Sequence, residues 1–290
     1  MNKPQKPLTF YKMHGLGNDF MVVEAVTQAV ELPPADIARW GDRHTGIGFD
    51  QLLVIEPPTS GDADFCFRIY NKDGSVAEQC GNGTRAVALL ARHLQLSKKA
   101  ILLWQTPAGM VRTHFTSPQQ IETTMTVPVL TLADIPFAVA AAEAIESTLP
   151  GLNQFSVETD GERFTITPVS MGNPHGVVFV EDIVTVDVAG IGARLSRHAA
   201  FPAGANIGFC QVIDQQFVRL RVYERGVGET SACGSGACAA IVAARLHEYV
   251  GERVKVSLPG GKLRITWLQH DGPVTMTGAA SIVYRGELHT

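Results

Sequence analysis

Two of the five cysteines occupy the same short motif, in which cysteine is followed by Gly-x-Gly. The motifs begin at Cys80 (CGNG) and at Cys233 (CGSG), and an alanine-rich stretch after each predicts a helix that begins near the glycines. The first N–H groups of a helix lack backbone partners and carry partial positive charge, so each motif can bind a carboxylate. The same charge favours a thiolate, and we expect both cysteines to have a pKa below the usual value of about 8.5.

A symmetric pair of such cysteines suits the inversion of a carbon that carries a carboxylate. One thiolate removes the α-proton from one face, and the thiol of the other cysteine delivers a proton to the opposite face. The two helix N-termini would hold the carboxylate and stabilise the charge that develops on it. This chemistry needs no cofactor and no metal. The His and Cys residues are not spaced as zinc ligands, and no dinucleotide fingerprint opens a helix.

The other three cysteines, Cys66, Cys210 and Cys238, lie in apolar segments. An unpaired cysteine in such a segment is usually a small core residue, and we assign these three to the core. The same interpretation would prevail for a single Cys-Gly-x-Gly motif, but its repetition favours a functional pair. The odd number of cysteines also argues against a disulfide framework.

The two motifs belong to a longer internal repeat. Arg-x-Tyr segments beginning at Arg68 and Arg221 precede the cysteines at the same distance, with an offset of 153 residues. Gly-Asn pairs begin at Gly17 and Gly172 with an offset of 155, and a Gly-x-x-Arg segment follows each motif with an offset of 152. These landmarks, in the same order, predict a tandem duplication of a unit of roughly 150 residues.

Each unit is predicted to contain strands and one principal helix. Short β-branched and aromatic runs predict strands at 65–70, 101–105, 111–115 and 121–127, with counterparts at 217–223, 253–258, 263–268 and 274–277. Helices are predicted at 84–94 and 237–249, and the second is apolar nearly all round, which indicates a buried central helix. Three prolines interrupt the repeat, so 128–153 is expected to be a loop plus one helix.

These elements predict an α+β protein with two pseudo-symmetric domains, each a curled, mostly antiparallel sheet around a central helix. We place the first domain at 1–127, with a C-terminal strand 279–290 that crosses back to it. The second domain is placed at 128–278. Small-ligand sites concentrate between domains, and we expect the two cysteine motifs to meet there.

The composition limits the class of protein and its partners. The chain has 290 residues, enough for two domains, and 45% of them are hydrophobic, which excludes a disordered chain. Lys and Arg number 24 and Asp and Glu 28, so the net charge is −4 and neither a nucleic acid nor an anionic membrane is an expected partner. Residues 1–15 lack the apolar run of a secretory signal, and no apolar stretch is long enough for a bilayer. We expect a cytoplasmic protein with reduced thiols.

Six segments resemble the diaminopimelate epimerase family, whose members act without a cofactor in lysine and peptidoglycan precursor synthesis. They are FYKMHGLGNDFMVVE (10–24), GIGFDQLL (46–53), YNKDGSVAEQCGNGTRA (70–86), MGNPHGVVFV (171–180), GANIGF (204–209) and VYERGVGETSACGSGACAA (222–240). The combination is specific and extends over most of the chain. The resemblance implies conversion of LL-2,6-diaminopimelate to meso-diaminopimelate by two-base proton transfer without a cofactor, and it implies a homodimer.

The resemblance also implies roles for individual residues. Cys80 resembles the family's proton donor and Cys233 its proton acceptor, and these roles exchange in the reverse direction. His175 and Glu224 resemble the pair that tunes the two cysteine pKa values, and Tyr284 resembles a tyrosine of the dimer interface. The backbone sites that resemble the holder of the reacting carboxylate are Gly81, Asn82, Gly234 and Ser235. The residues that resemble the substrate-recognition set are Asn18, Gln51, Asn71, Asn173, Asn206, Glu224 and Arg225.

The residue types are compatible with these roles. The substrate carries an amino acid at each end, and a guanidinium such as that of Arg225 suits the distal carboxylate. Glu224, with nearby amide carbonyls, suits the distal ammonium. A carboxylate such as Glu224 near one thiol would raise the pKa of that thiol, and His175 near the other would help it to ionise. A lone histidine after proline could equally be a surface loop residue.

Other interpretations of the same residues are open. Asn18, Asn173 and Asn206 lie in or near glycine-containing turns and could serve only as turn formers, and Glu224 and Arg225 could form a solvated ion pair. A proline racemase or hydroxyproline epimerase would use the same cysteine pair on a substrate with one carboxylate. A redox-regulated cysteine pair is the non-enzymatic alternative. A phenazine-type isomerase is disfavoured because both cysteines are present.

Overall fold

The computed structural model of the chain describes residues 7–77 and 80–288. Three stretches lie outside the described residues. They are residues 1–6, where no secretory signal was predicted, positions 78 and 79 before the first cysteine, and the last two residues of the predicted C-terminal strand. Contacts within the chain divide it into two compact units. The second unit is Met125–Met276, and the first comprises the chain up to Thr124 together with the residues from Thr277 onward.

In the first unit, a sheet curls around one buried helix. The elements before the second unit are β1 (Leu8–Gly15), β2 (Asn18–Glu24), α1 (Pro34–Gly41), β3 (Gln51–Glu56), β4 (Phe65–Asn71), β5 (Val76–Ala77), α2 (Gly81–His93), β6 (Ile101–Thr106), β7 (Gly109–Ser117) and β8 (Gln120–Thr124). Most neighbours are antiparallel, but β2–β3 and β4–β6 are parallel. Helix α2 buries Ala86, Val87 and Leu90 in a core that includes Phe20 and Trp104.

The second unit has the same architecture. Its elements and the strands that follow are β9 (Glu143–Ile145), β10 (Gln154–Thr159), β11 (Glu162–Ser170), β12 (Pro174–Phe179), α3 (Val188–Ser196), β13 (Asn206–Asp214), β14 (Phe217–Glu224), β15 (Gly228–Thr230), α4 (Gly234–Leu246), β16 (Arg253–Leu258), β17 (Gly261–Thr266), β18 (Thr275–Gly278) and β19 (Ser281–Leu288). Strand β19 pairs antiparallel with β1, inside the first unit. Helix α4 is buried continuously from Gly236 to Ala244, which confirms the predicted central helix.

Strand register confirms the predicted duplication. In both units an antiparallel pair leads into a parallel pair, β2–β3 in the first and β12–β13 in the second. Phe20 pairs with Gln51 and His175 pairs with Asn206, so both partners are offset by 155 residues. The fold is therefore α+β, with a mostly antiparallel curled sheet around a central helix in each unit.

Segment 128–153 differs from the prediction. It contains two 3-10 turns, at Leu132–Asp134 and Val139–Ala141, and the short strand β9, but no α-helix. The alanine-rich run between the prolines is too short to be a stable helix by propensity alone. Tertiary contacts determine the structure of this segment instead. Ile135 and Phe137 are buried in the core of the second unit, and β9 pairs with β10.

Candidate active site

Cys80 stands at the N-cap of α2, one residue before the helix begins. Its Sγ accepts a hydrogen bond from the backbone N–H of Gly83 at 3.3 Å, as an N-cap side chain does. Gly83 is closely packed, since a Cβ there would lie 3.2 Å from the methyl groups of Leu53. The helix N-terminus is thereby held close to β3, with the Gly83 N–H directed at the sulfur.

A buried arginine supports the same helix N-terminus. The Arg85 guanidinium donates to Asn82 Oδ1 at 2.5 Å and to the carbonyl of Gly81 at 3.2 Å. Arg85 is fully buried and Asn82 nearly so. These contacts fix the two residues whose backbone resembles the holder of the reacting carboxylate. Arg85 was not predicted as a site residue, although it lies inside the family-like segment 70–86.

Asn18 contacts the first cysteine directly. The thiol of Cys80 donates to Asn18 Oδ1 at 3.6 Å. Gln51 and Asn71 form a second pair, on facing positions of β3 and β4, in which Gln51 Nε2 donates to Asn71 Oδ1 at 3.3 Å. All three predicted recognition residues of this unit therefore lie at the ends of β2, β3 and β4. The Asn18 side chain therefore contacts Cys80, and its role in recognition stays a prediction.

Cys233 stands at the N-cap of α4, in the position equivalent to Cys80, but it is buried. Burial raises its pKa well above the ordinary value, and the neighbouring Glu224 carboxylate raises it further. Hydrogen bonds from Ser235 and from the N–H of Gly236 oppose these effects without overcoming them. The prediction of a lowered pKa is therefore wrong for Cys233, because desolvation outweighs the helix N-terminus.

Glu224 is the last residue of β14 and Arg225 follows it, and the two side chains have different partners. Glu224 Oε1 accepts a hydrogen bond from Thr230 Oγ1 at 2.5 Å. The Arg225 N–H donates to Asn206 Oδ1 at 2.8 Å, and its guanidinium donates to the carbonyl of Ala203 at 2.7 Å. No ion pair joins Glu224 to Arg225 within the described part of the chain, so the solvated-pair interpretation does not apply.

His175 is buried in the second unit and is not a surface loop residue. Its Nε2 lies 3.0 Å from Asn173 Oδ1, and Nδ1 has no hydrogen-bond partner among the described residues. Burial, with a smaller contribution from the Arg225 charge, lowers the pKa of His175 to about 3. The imidazole is therefore neutral near pH 7 and would act through hydrogen bonds rather than as a cation.

The other three cysteines are largely core residues, as predicted. Cys210 and Cys238 are buried, whereas Cys66 in β4 is only partly buried. Burial raises the pKa of Cys210 to about 12, which suppresses thiolate chemistry there. None of the five cysteines forms a disulfide.

A charged network beside Asn18 was not predicted from the sequence. Arg43 donates to Asp19 at 2.7 Å and to Asp50 at 2.8 Å, and Lys12 also donates to Asp19. Burial raises the pKa of Asp19, but the hydrogen bonds from Arg43 and Lys12 outweigh burial and hold that pKa well below its usual range. Both carboxylates lie inside quoted segments, GLGNDF and GIGFDQLL, and an acidic residue beside a predicted ligand was the available signal.

Tyr284 lies on β19 opposite Lys12 in β1. The side chain is 45% exposed, and its ring meets Phe10 edge-on at a centroid distance of 6.1 Å.

The described residues include no cluster of three or more His, Cys, Asp or Glu side chains that could hold a metal ion. No helix of the described ranges is long and apolar enough to span a membrane.

The fold is shared with solved structures of distant sequence. A hydroxyproline epimerase from Agrobacterium vitis, with bound trans-4-OH-L-proline, has a TM-score of 0.66 at 14% identity and covers 98% of this chain and 92% of its own. A phenazine biosynthesis protein from Bacillus anthracis has a TM-score of 0.67 at 16% identity and covers 98% and 99%. This chain thus shares the fold of these two proteins. In this chain, a cysteine stands at the N-cap of each buried helix.

Sequence similarity identifies the family to which the chain belongs. The family described as diaminopimelate epimerase matches residues 10–131 and 167–283. A diaminopimelate epimerase from Pseudomonas aeruginosa is 46% identical over 281 residues, which is 97% of this chain and 99% of that protein. The chain belongs to the diaminopimelate epimerase family.

Proposed function

We propose that the protein converts LL-2,6-diaminopimelate to meso-diaminopimelate by transfer of the α-proton between two cysteines, without a cofactor. The observation that carries this proposal is the placement of Cys80 and Cys233 at equivalent N-caps of the two buried helices. The mechanism requires the two sulfurs to reach one α-carbon from opposite faces. The N–H groups that begin each helix then hold the reacting carboxylate and stabilise its developing negative charge.

The two cysteines have unequal tasks in this mechanism. Cys233, in contact with the Glu224 carboxylate, gives its proton to that carboxylate and then removes the α-proton as a thiolate. Cys80, whose thiol proton is held by Asn18, delivers that proton to the opposite face. After the transfer, Glu224 releases its proton to solvent and the Cys80 thiolate takes a proton from solvent, which restores the carboxylate and both thiols, so the cycle needs no oxidant or metal. In the reverse direction the roles exchange.

Substrate recognition would use the polar residues around the cysteines. Arg225, fixed by the carbonyls of Ala203 and Gly204, suits the distal carboxylate. The amide groups of Asn18, Gln51, Asn71, Asn173 and Asn206, together with Glu224, would bind the distal amino acid. A neutral set of amides can read both charges of a zwitterion, whereas a substrate with one carboxylate would leave Arg225 without a role.

The first test compares substrates and cysteine variants. We expect the purified protein to epimerise LL-diaminopimelate and not proline, and Cys80→Ser and Cys233→Ser each to lose at least a thousandfold in kcat. Cys210→Ser, which removes a buried core thiol, is the control and should keep wild-type kcat in the folded fraction. Turnover of proline alone would favour the proline racemase alternative, and full activity of both variants would favour a redox pair.

A cytoplasmic homodimer completes the proposal. Tyr284 is 45% exposed on β19, and an exposed aromatic side chain of this kind suits a contact between two copies. We expect Tyr284→Glu to shift the mass measured by light scattering from dimer toward monomer. Val184→Glu, at an exposed apolar side chain of the second unit, is the matched control and should leave the mass unchanged. A monomeric wild type would remove this part of the proposal.

A further inference from the structure

Asn18 lies between a carboxylate and the first cysteine. Its Nδ2 donates to Asp50 Oδ2 at 2.9 Å, and its Oδ1 accepts from the Cys80 thiol at 3.6 Å. A carboxylate accepts hydrogen bonds and does not donate them, so Asp50 requires the NH2 group of Asn18 to face it. The amide oxygen must then face the sulfur.

Two further contacts fix the carboxylate that imposes this orientation. The backbone N–H of Asp19 donates to the same oxygen of Asp50 at 3.1 Å, and Arg43 donates to the other oxygen at 2.8 Å. Asp50 is itself 45% exposed, and a single exposed hydrogen bond contributes little. Together with Asn18, these contacts give the Asp50 carboxylate three donors, which hold it in one orientation. The orientation of the Asn18 amide is then set by this carboxylate.

The orientation of Asn18 selects the protonated form of Cys80. An acceptor oxygen at the sulfur stabilises the thiol, whereas an NH2 group there would stabilise the thiolate. The N–H of Gly83 already donates to the sulfur at 3.3 Å and favours the thiolate. The Asn18 oxygen opposes this donor.

We infer that Asp50 is a positioning residue that turns the Asn18 amide oxygen toward Cys80 and so keeps this cysteine as the proton donor of the resting enzyme. The inference rests on the proposed function for the role of Cys80, but the orientation itself rests only on the contacts of Asn18.

The duplication shows that the second unit lacks this arrangement. Because Phe20–Gln51 and His175–Asn206 are equivalent strand pairs, the residues preceding them correspond: Asp50 corresponds to Ala205. The asparagine equivalent to Asn18 is Asn173, and its Oδ1 is held by His175 at 3.0 Å. The two equivalent asparagines therefore have different partners, and only the one in the first unit is oriented by a carboxylate.

Other charged groups near Asp50 and Cys80 must be separated from this effect. Asp19 in β2 and Arg43 in the loop after α1 contact Asp50, and Lys12 in β1 contacts Asp19. Arg85 contacts the N-terminus of α2. Loss of the Asp50 charge would by itself lower the pKa of Cys80, in the same direction as loss of the Asn18 orientation. A simple substitution cannot distinguish these causes, so the test needs a double variant.

The experiment measures the alkylation of Cys80 by iodoacetamide as a function of pH, with the modified peptide quantified by mass spectrometry. Asp50→Ala is expected to move the midpoint of Cys80 alkylation down by about 0.5–1 pH unit. Cys233 in the same sample is an internal reference and should not move. Asp50→Ser, with a side chain too short to replace the carboxylate, is the second variant in case the first does not fold.

The Asn18→Ala background separates orientation from charge. If Asp50 acts through Asn18, Asp50→Ala adds no further shift in this background. An equal shift in both backgrounds would show a charge effect alone and overturn the inference, as would an unchanged midpoint in the single variant. Lys12→Gln removes a charge from the network but leaves the three donors to Asp50 in place, because Lys12 contacts Asp19. It is the matched control, and any small shift it causes should be upward.

Activity with LL-diaminopimelate, measured on the same variants, distinguishes the two proposals. A shifted Cys80 midpoint in a protein that does not epimerise diaminopimelate would refute the proposed function and leave the positioning role. An active enzyme whose Cys80 midpoint does not respond to Asp50 would refute the positioning role alone. If both hold, kcat in the direction that uses Cys80 as donor should fall more than KM changes.

Discussion

Cys233 is in an environment that opposes its own ionisation. Burial and the Glu224 carboxylate raise its pKa, and the donors Ser235 and Gly236 only reduce that effect. If Cys233 is the base of the proposed mechanism, it needs an acceptor for its proton at the moment of reaction. Glu224, already hydrogen-bonded to Thr230 at 2.5 Å, is positioned to be that acceptor.

Glu224→Gln should therefore lower both the pKa of Cys233 and kcat. Removal of the carboxylate charge should lower the pKa of Cys233, so iodoacetamide should alkylate this cysteine at lower pH. At the same time kcat should fall by about 10²–10⁴ because the proton acceptor is lost. Glu229→Gln is the matched control, since Glu229 lies in β15 and pairs with Arg221 at 2.7 Å. If kcat stays at the wild-type value, Glu224 does not take the proton.

His175 makes the stability of the protein dependent on pH. Its folded-state pKa of about 3 lies below its ordinary value of 6.5 because the imidazole is buried. As pH falls below 6.5, the unfolded chain binds a proton that the folded chain does not, so stability is lost. This loss continues until the pH reaches about 3, with a slope of at most about 1.4 kcal/mol per pH unit for one proton.

His175→Gln should flatten this part of the stability curve. The free energy of unfolding, measured by urea denaturation between pH 7 and pH 4, should decline less steeply than in the wild type because glutamine does not titrate. His44→Gln, at an exposed position, should give the wild-type slope. Parallel curves for wild type and His175→Gln would show that His175 is not buried as a neutral group.

The helices that carry the cysteines were the most predictable elements. The Cys-Gly-x-Gly motif and the alanine-rich run located both, but each begins at the first glycine, three residues before the predicted start. A glycine has low helix propensity, and only the cap geometry shows that it belongs to the helix. The short helices α1 and α3 were not predicted. Segment 128–153 was wrongly assigned a helix because propensity could not reveal the pairing of β9 with β10.

The glycine after Ser235 is required by close packing at the helix N-terminus. A Cβ at Gly236 would lie 3.1 Å from Val222 Cγ2 and 3.2 Å from Cys233 Sγ. Gly236→Ala should displace the sulfur by a few tenths of an ångström, and we expect kcat to fall at least tenfold. Stability should change little, because the helix propensity of alanine, about 1 kcal/mol better than glycine, offsets the crowding.

Gly251→Ala is the control for this prediction. Its nearest heavy atom, the carbonyl oxygen of Gln215, would lie 3.7 Å from the new Cβ, an ordinary contact. This variant should keep both kcat and the thermal midpoint. If Gly236→Ala retains wild-type kcat, the position of the Cys233 sulfur tolerates displacement and the packing argument is refuted.

The whole molecule is a duplication whose two halves have become chemically different. The strand registers show the common plan, and the sequence offsets predicted it. The differences could not be predicted from the repeat, because they depend on which side chains touch. Asp50 corresponds to Ala205, and Asn71 corresponds to Glu224. One cysteine therefore has an acceptor at its thiol, and the other has a carboxylate beside it.

This asymmetry predicts a reciprocal pattern of hydrogen exchange in D2O. Cys80→Ser keeps Cys233, so it should exchange the α-hydrogen of LL-diaminopimelate without inverting the carbon. Cys233→Ser keeps Cys80, so it should instead exchange the α-hydrogen at the D centre of meso-diaminopimelate. Mass spectrometry of each diastereomer measures deuterium uptake, and the wild type should place solvent deuterium in the inverted product from the first turnover. Equal exchange of both diastereomers by both variants would contradict the assignment of one cysteine to each face, because either thiol would then reach either side of the α-carbon.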